Sequence, residues 1–305
     1  TNTSGTANTA VGYQSLNLNQ TGTANTAVGL QSLLNNIGNN NTAVGASALL
    51  GNTSAANNTA VGKAAMQLNS TGADCVAIGY NALNVSTASS NTAVGSGALD
   101  ANTSGTPNTA VGFNALGTNV SGSNNTAVGA NAGALLINSG NTAVGTNALA
   151  AVSGGNCTAV GHNALQSNTA ANNTAVGTGA IANGVSGTDT TAIGYNALLV
   201  NTASFNTAVG SVALDANTSG NQNVSVGYNS MGTNIAGNDC VAVGANALRD
   251  STASQNVGVG SGAGLTTTGT NNTYVGYSAG STATTGSNNV IIGASAAPSS
   301  ATISN

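Results

Sequence analysis

Three cysteines, Cys75, Cys157 and Cys240, and a single histidine, His162, are the side chains of this 305-residue chain best suited to nucleophilic, redox or metal chemistry. All three cysteines stand four residues before a recurring glycine, five repeats apart each time. If each repeat is one coil of a solenoid, five coils span roughly 24 Å, far beyond the ~7 Å between Cα atoms that a disulfide tolerates. An interchain disulfide or a metal on a symmetry axis would be the chemical use of such a column. A small buried residue standing in for asparagine is the simpler reading, and it is the one adopted. One histidine cannot supply a multi-histidine metal site, and no Ser-His-Asp constellation surrounds it. The run Gly258-Val259-Gly260-Ser261-Gly262-Ala263-Gly264 invites a phosphate-loop reading. It lacks the GxGxxG spacing and any βαβ context. The chain therefore offers no catalytic residues, no metal ligands and no cofactor motif, and no residue set suggests an enzyme.

What positions these residues is a short stretch first seen whole as Asn8-Thr9-Ala10-Val11-Gly12-Tyr13-Gln14-Ser15-Leu16. Its glycine returns at 29, 45, 62, 79, 95, 112, 129, 145, 161, 177, 194, 210, 227, 244, 260, 276 and 293, always after 16 or 17 residues. So short and strict a period predicts an all-β parallel solenoid of 18 coils, read as a single repeat domain over 1–305.

Composition agrees. Only 3% of residues are charged, and the 40% that are hydrophobic are dominated by Ala and Val, so the chain can close only a thin core repeated along an axis. The net charge of −4, with Lys63 and Arg249 as the only cations, excludes an electrostatic footprint for nucleic acid. No apolar run is long enough to insert in a membrane as a helix. The first residues fall inside a repeat, and no stalk or anchor follows Gly293. This reads as a portion of a longer protein.

Counting from the repeat glycine, position −1 is Val in fifteen repeats and Ile in three, and −3 is Thr in thirteen and Val in five. Two β-branched columns two residues apart suggest the inner face of a strand, with −3 and −1 inside. Position −2 would then face outward, yet it is Ala10, Ala27, Ala43, Ala60, Ala77, Ala93, Ala110, Ala127, Ala143, Ala159, Ala175, Ala192 and Ala208 without a break. An invariant small residue on an outer face implies close approach by another chain, so this column is the expected subunit interface. Ala127→Glu is accordingly expected to block assembly. The glycine suggests a bend with positive φ, and the Leu common at +4 a second wall of the core. Asn in fourteen repeats at −4 suggests an amide ladder along the axis.

Position +1 varies freely and should face solvent. Its aromatics, Tyr13, Tyr80, Phe113, Tyr195, Tyr228 and Tyr277, are a candidate adhesive surface for a cell-surface glycan or receptor. Sequons at Asn2, Asn19, Asn52, Asn69, Asn84, Asn102 and Asn119 raise N-glycosylation, although an Asn/Thr-rich chain generates many by composition. Residues 87–105 and 202–220 are near-identical at an offset of 115, which reads as duplication of a seven-coil block. The last coils, about 264–305, are atypical: Tyr274 and Ile291 replace the small −2 residue, and Gly264 and Gly280 replace the +4 Leu.

The segments Asp74-Cys75-Val76-Ala77-Ile78-Gly79 and Asp239-Cys240-Val241-Ala242-Val243-Gly244 resemble the head repeats of YadA-like trimeric autotransporter adhesins. The longer NTAVGxxAL unit is similar to repeats of viral and phage tail fibres. The coil here is longer than the usual adhesin-head unit. The resemblance implies a left-handed β-roll, three chains around an axis, and work outside the cell, at the cell surface or on a virion. The expected function is a rigid fibre segment of a surface appendage, serving as spacer and adhesin. Its partners would be its own copies and a surface glycan or receptor. A self-assembling filament or sheath is the alternative. An ice-binding solenoid ranks third, because it needs −3 to face outward.

Overall fold

The structure, a computed structural model, describes residues 3–151, 154–282 and 285–297. The chain is all-β, a parallel β-solenoid with one three- or four-residue strand per repeat and no helix among the described residues. No helix is long and apolar enough to cross a membrane. The residues group into two compact units, Thr1–Gly155 and Asn156–Asn305. The first carries nine strands, β1 (Thr9–Val11) through β9 (Thr142–Val144). The second carries nine more, β10 (Thr158–Val160) through β18 (Val290–Ile292).

Within each unit every strand pairs in parallel with the next, in strict register: Ala27 lies beside Ala43 and Val28 beside Val44. The ladder runs on beyond these short strands. Gly29 N–H donates to Val11 O at 2.8 Å, Gln31 N–H to Tyr13 O at 2.9 Å, and Leu33 N–H to Ala48 O at 3.0 Å. The repeat glycine is required where the coil bends. Gly62 has φ +132°, and a Cβ there would lie 2.5 Å from the carbonyl oxygen of Gly79. Successive coils approach too closely at this corner for any side chain.

The inside and outside of the strand are the reverse of the sequence expectation. Ala27, Ala43, Ala60, Ala77, Ala93, Ala110, Ala127, Ala143, Ala159, Ala175, Ala192 and Ala208 are all 0% exposed within a single chain. They line the core and cannot form a subunit interface. Ala10, in β1, is exposed and is the exception. The −3 and −1 residues point outward instead, Thr42 half-buried and Val44 exposed beside buried Ala43. The physical reason is the width of the coil. Across the core from −2 stand the +3 alanine and the +4 leucine, exemplified by Ala48 and Leu49, both 0% exposed. With that wall in place, the strand side has room for one methyl group. Ala recurs from Ala10 to Ala208 because the interior is narrow, and the bulkier β-branched side chains flank it outside.

The +4 leucines reach the core from a left-handed backbone, as at Leu116 (φ 51°) and Leu149 (φ 52°). That conformation costs about 1 kcal/mol for an L-residue, and it aims the side chain inward.

Candidate functional site

Two asparagine columns, one foreseen and one not, hold the turn opposite the bend. At −4 the side-chain oxygen accepts the backbone N–H of its successor. Asn58 N–H donates to Asn41 Oδ1 at 3.0 Å and Asn125 N–H to Asn108 Oδ1 at 2.9 Å. The amide nitrogen secures the next coil's loop carbonyl, as in Asn58 Nδ2 to Gly72 O at 2.8 Å. The second column lies at +7, where Asn19, Asn36, Asn52, Asn69, Asn102 and Asn119 are all at most 1% exposed. These close the loop locally: Asn69 Nδ2 also donates to Gly72 O at 2.8 Å, and Gly72 N–H donates back to Asn69 Oδ1 at 2.9 Å. One carbonyl is thus held by two buried amides. The +7 column was visible as a run of Asn but looks like ordinary turn composition.

This placement bears on the sequons. Asn19, Asn52, Asn69, Asn102 and Asn119 have no exposed amide to carry a glycan in the folded chain, and Asn84 is half-buried. Asn2 lies outside the described residues.

The cysteines act as asparagine substitutes. Cys75 Sγ donates to Ala73 O at 3.3 Å and to Ala88 O, the next coil's loop carbonyl, at 3.4 Å. The backbone N–H of Asn91, which a −4 Asn oxygen would otherwise accept, faces the sulfur and in part lowers its pKa. Cys240 repeats the pattern with Asn238 O and Ala253 O, both at 3.3 Å, and Cys157 Sγ reaches Ala170 O at 3.3 Å. All three cysteines are buried thiols, none in a disulfide. Burial raises their pKa values above the ordinary thiol range, and the neighbouring amides offset this only in part. Such thiols are poor nucleophiles. His162 is exposed at its +1 position, and Gly258-to-Gly264 follows the coil register through β16 (Val257–Val259) into the next bend.

Two outward features remain. The face of −3 and −1 residues carries no charge and presents a regular array of Thr and Val. Val44 is 37% exposed, Ile78 40%, Val128 39% and Ile193 41%. Around the bend, the +1 aromatics stand well exposed, Tyr80 at 53% and Phe113 at 62%, with Tyr13, Tyr195, Tyr228 and Tyr277 likewise. Along the turn, a ridge of hydrogen bonds runs at +8. There Ile37 N–H donates to Thr53 O at 2.7 Å and Thr103 N–H to Val120 O at 2.9 Å. Hydroxyls reinforce the same ladder, Thr87 Oγ1 donating to Thr103 O at 2.9 Å.

No family model matches the chain, and no curated protein or solved structure matches it.

Proposed function

We propose that the chain is a structural segment of a surface appendage, extracellular or virion-borne, a stiff spacer whose copies associate side by side through the −3/−1 face. The observation that carries this reading is the outward Val/Ile column, half-buried or exposed in each strand, beside the Thr column: an uncharged strip repeated at every coil. Nine coils at about 4.8 Å, each presenting a strand about 10 Å long, give roughly 400 Å² per unit. Each unit alone thus offers about half of one side of a standard protein–protein interface. A soluble monomer rarely leaves so continuous an apolar strip bare. The resemblance to trimeric adhesin heads and tail fibres suggests three chains. The interface thereby moves from the buried alanines to their neighbours in the same strand.

The test is the solution mass by light scattering. One chain weighs 28.7 kDa. Three times that mass, reduced to one chain by Val128→Asp with the β-sheet circular dichroism unchanged, is the expected result. A wild-type monomer overturns it.

A second reading uses the same face. Thr at −3 faces outward, the condition that ice binding requires, and the array is regular and uncharged. Thermal hysteresis in a monomeric wild-type chain would favour that reading over assembly, and its absence removes it.

A further inference from the structure

We infer that the +1 column carries two equivalent notches for an extended glycan, each a serine between two aromatic rings, and that the notch in the first unit takes an acidic sugar chain. The first is Tyr80, Ser96 and Phe113, and the second Tyr195, Ser211 and Tyr228, at the 115-residue offset of the duplicated block. In each, the backbone ladder fixes the three residues in file. Gly97 N–H donates to Tyr80 O at 2.9 Å and Asn114 N–H to Ser96 O at 2.9 Å; Val212 N–H donates to Tyr195 O at 2.8 Å and Asn229 N–H to Ser211 O at 3.0 Å. Two coil steps place the ring-bearing residues about 10 Å apart on one side of the solenoid, about the length of a disaccharide. The rings are 53%, 62%, 57% and 59% exposed in sequence order.

An asparagine follows every one of these aromatics, and the downstream one is held in place. Asn114 Nδ2 donates to Asn131 Oδ1 at 3.2 Å, and Asn229 Nδ2 to Asn246 Oδ1 at 3.3 Å. Flat rings for the C–H faces of pyranoses, with amide and hydroxyl groups alongside for their hydroxyls, are the chemistry of carbohydrate recognition. The chain has too few cations for a nucleic-acid strand to compete.

Charge separates the two notches. Lys63, one coil before Tyr80, holds its ammonium 6.0 Å from the Tyr80 ring centre, and among the described residues no carboxylate pairs with it. The other cation, Arg249, is engaged by Asp250 at 2.6 Å. At the position equivalent to Lys63 the second unit has Thr178. An ammonium over one ring of the platform, with no carboxylate on it, complements the carboxylate of a uronic-acid unit.

This inference rests on the chain working at an exposed surface. Calorimetric titration of the folded chain with a polyuronate oligosaccharide and with an uncharged cello-oligosaccharide tests it. Saturable binding is expected, tighter for the polyuronate. Tyr80→Leu or Phe113→Leu, which keep apolar bulk but remove the ring, should each weaken polyuronate binding roughly five- to tenfold. Lys63→Met should bring polyuronate affinity down to that of the neutral sugar. No saturable binding, or binding unmoved by both ring substitutions, overturns the proposal. Light scattering of the same variants keeps the two readings apart: a trimer without sugar binding removes the notches alone, and a sugar-binding monomer removes the side-by-side interface alone.

Discussion

The ring of Tyr274 occupies the space that a leucine vacates at Gly264. A Cβ at Gly264 would lie 2.5 Å from Tyr274 Cδ2, and one at Gly280 would also overlap the ring. Tyr274 replaces the core alanine in β17 (Thr273–Val275), is 0% exposed, and meets Thr267 Oγ1 with its hydroxyl at 2.9 Å. Large and small have exchanged sides of the same narrow core. Gly133 and Leu136 show another form of the exchange, since a Cβ at Gly133 would sit 2.7 Å from Leu136 Cδ1.

Tyr274→Ala should therefore open a cavity and cost about 3–5 kcal/mol in a chemical unfolding titration. Gly264→Leu alone should also destabilise, by overpacking. The double variant restores the common arrangement on one side of the ring and should recover part of both losses. Additive losses in the double-mutant cycle would contradict the exchange.

Ala127→Glu and Val128→Asp separate core from face within one strand. The first buries a carboxylate with no partner and should abolish the cooperative melt, a loss above about 4 kcal/mol. The second places its charge on the outer face and should leave the melt of the isolated chain within about 0.5 kcal/mol of wild type. Equal damage from both would return the alanine column to the surface.

Asn58→Ala removes two buried hydrogen bonds, from Cys75 N–H at 2.9 Å and to Gly72 O at 2.8 Å. The stranded groups should cost about 2–4 kcal/mol. Asn58→Cys, the replacement found naturally at Cys75, should lose clearly less. If alanine and cysteine are equally damaging, the thiol does not stand in for the amide.

Acid should not unfold this chain in the ordinary way. Partial burial raises the pKa of Asp100 and of Asp215. A carboxyl held above its unfolded value destabilises the fold when both states are ionised, and this penalty fades as pH falls through the folded pKa toward the ordinary carboxylate value. Asp250 runs the other way: its hydrogen bond from Arg249 lowers its pKa, so its contribution is lost only as pH falls below 3.8. Between neutral pH and about pH 4 the melting temperature should hold or rise by about 1–2 °C. Asp100→Asn with Asp215→Asn should abolish any rise. A steep loss of stability over that range would refute the assignment.

The period, the coil register, the glycine bend, the amide ladder at −4 and the solvent exposure of +1 were all legible, because each repeats in all or most coils and has one physical cause. The polarity of the strand was not. In Thr-Ala-Val, hydrophobicity favours valine inside, and three residues are too few for alternation to say otherwise. The deciding signal lay in the exchange of size between −2 and +4 at Tyr274 and Gly264. Ser225 gives the same signal in polar form, its hydroxyl bonded across the core to Ser230 O at 2.8 Å. The +7 amides were masked by their resemblance to common turn residues.

Because each strand within a unit pairs only with its immediate neighbours in sequence, the coil is the smallest piece that can be gained or lost without disturbing any other. The near-identity of residues 87–105 and 202–220, seven coils apart, is the pattern such an event would leave. Near-identical repeats invite unequal recombination, and a crossover between repeats in the same register alters reach by about 4.8 Å per coil while preserving every interior contact type. Length then becomes a trait that a population can vary quickly, separately from whatever the surface recognises.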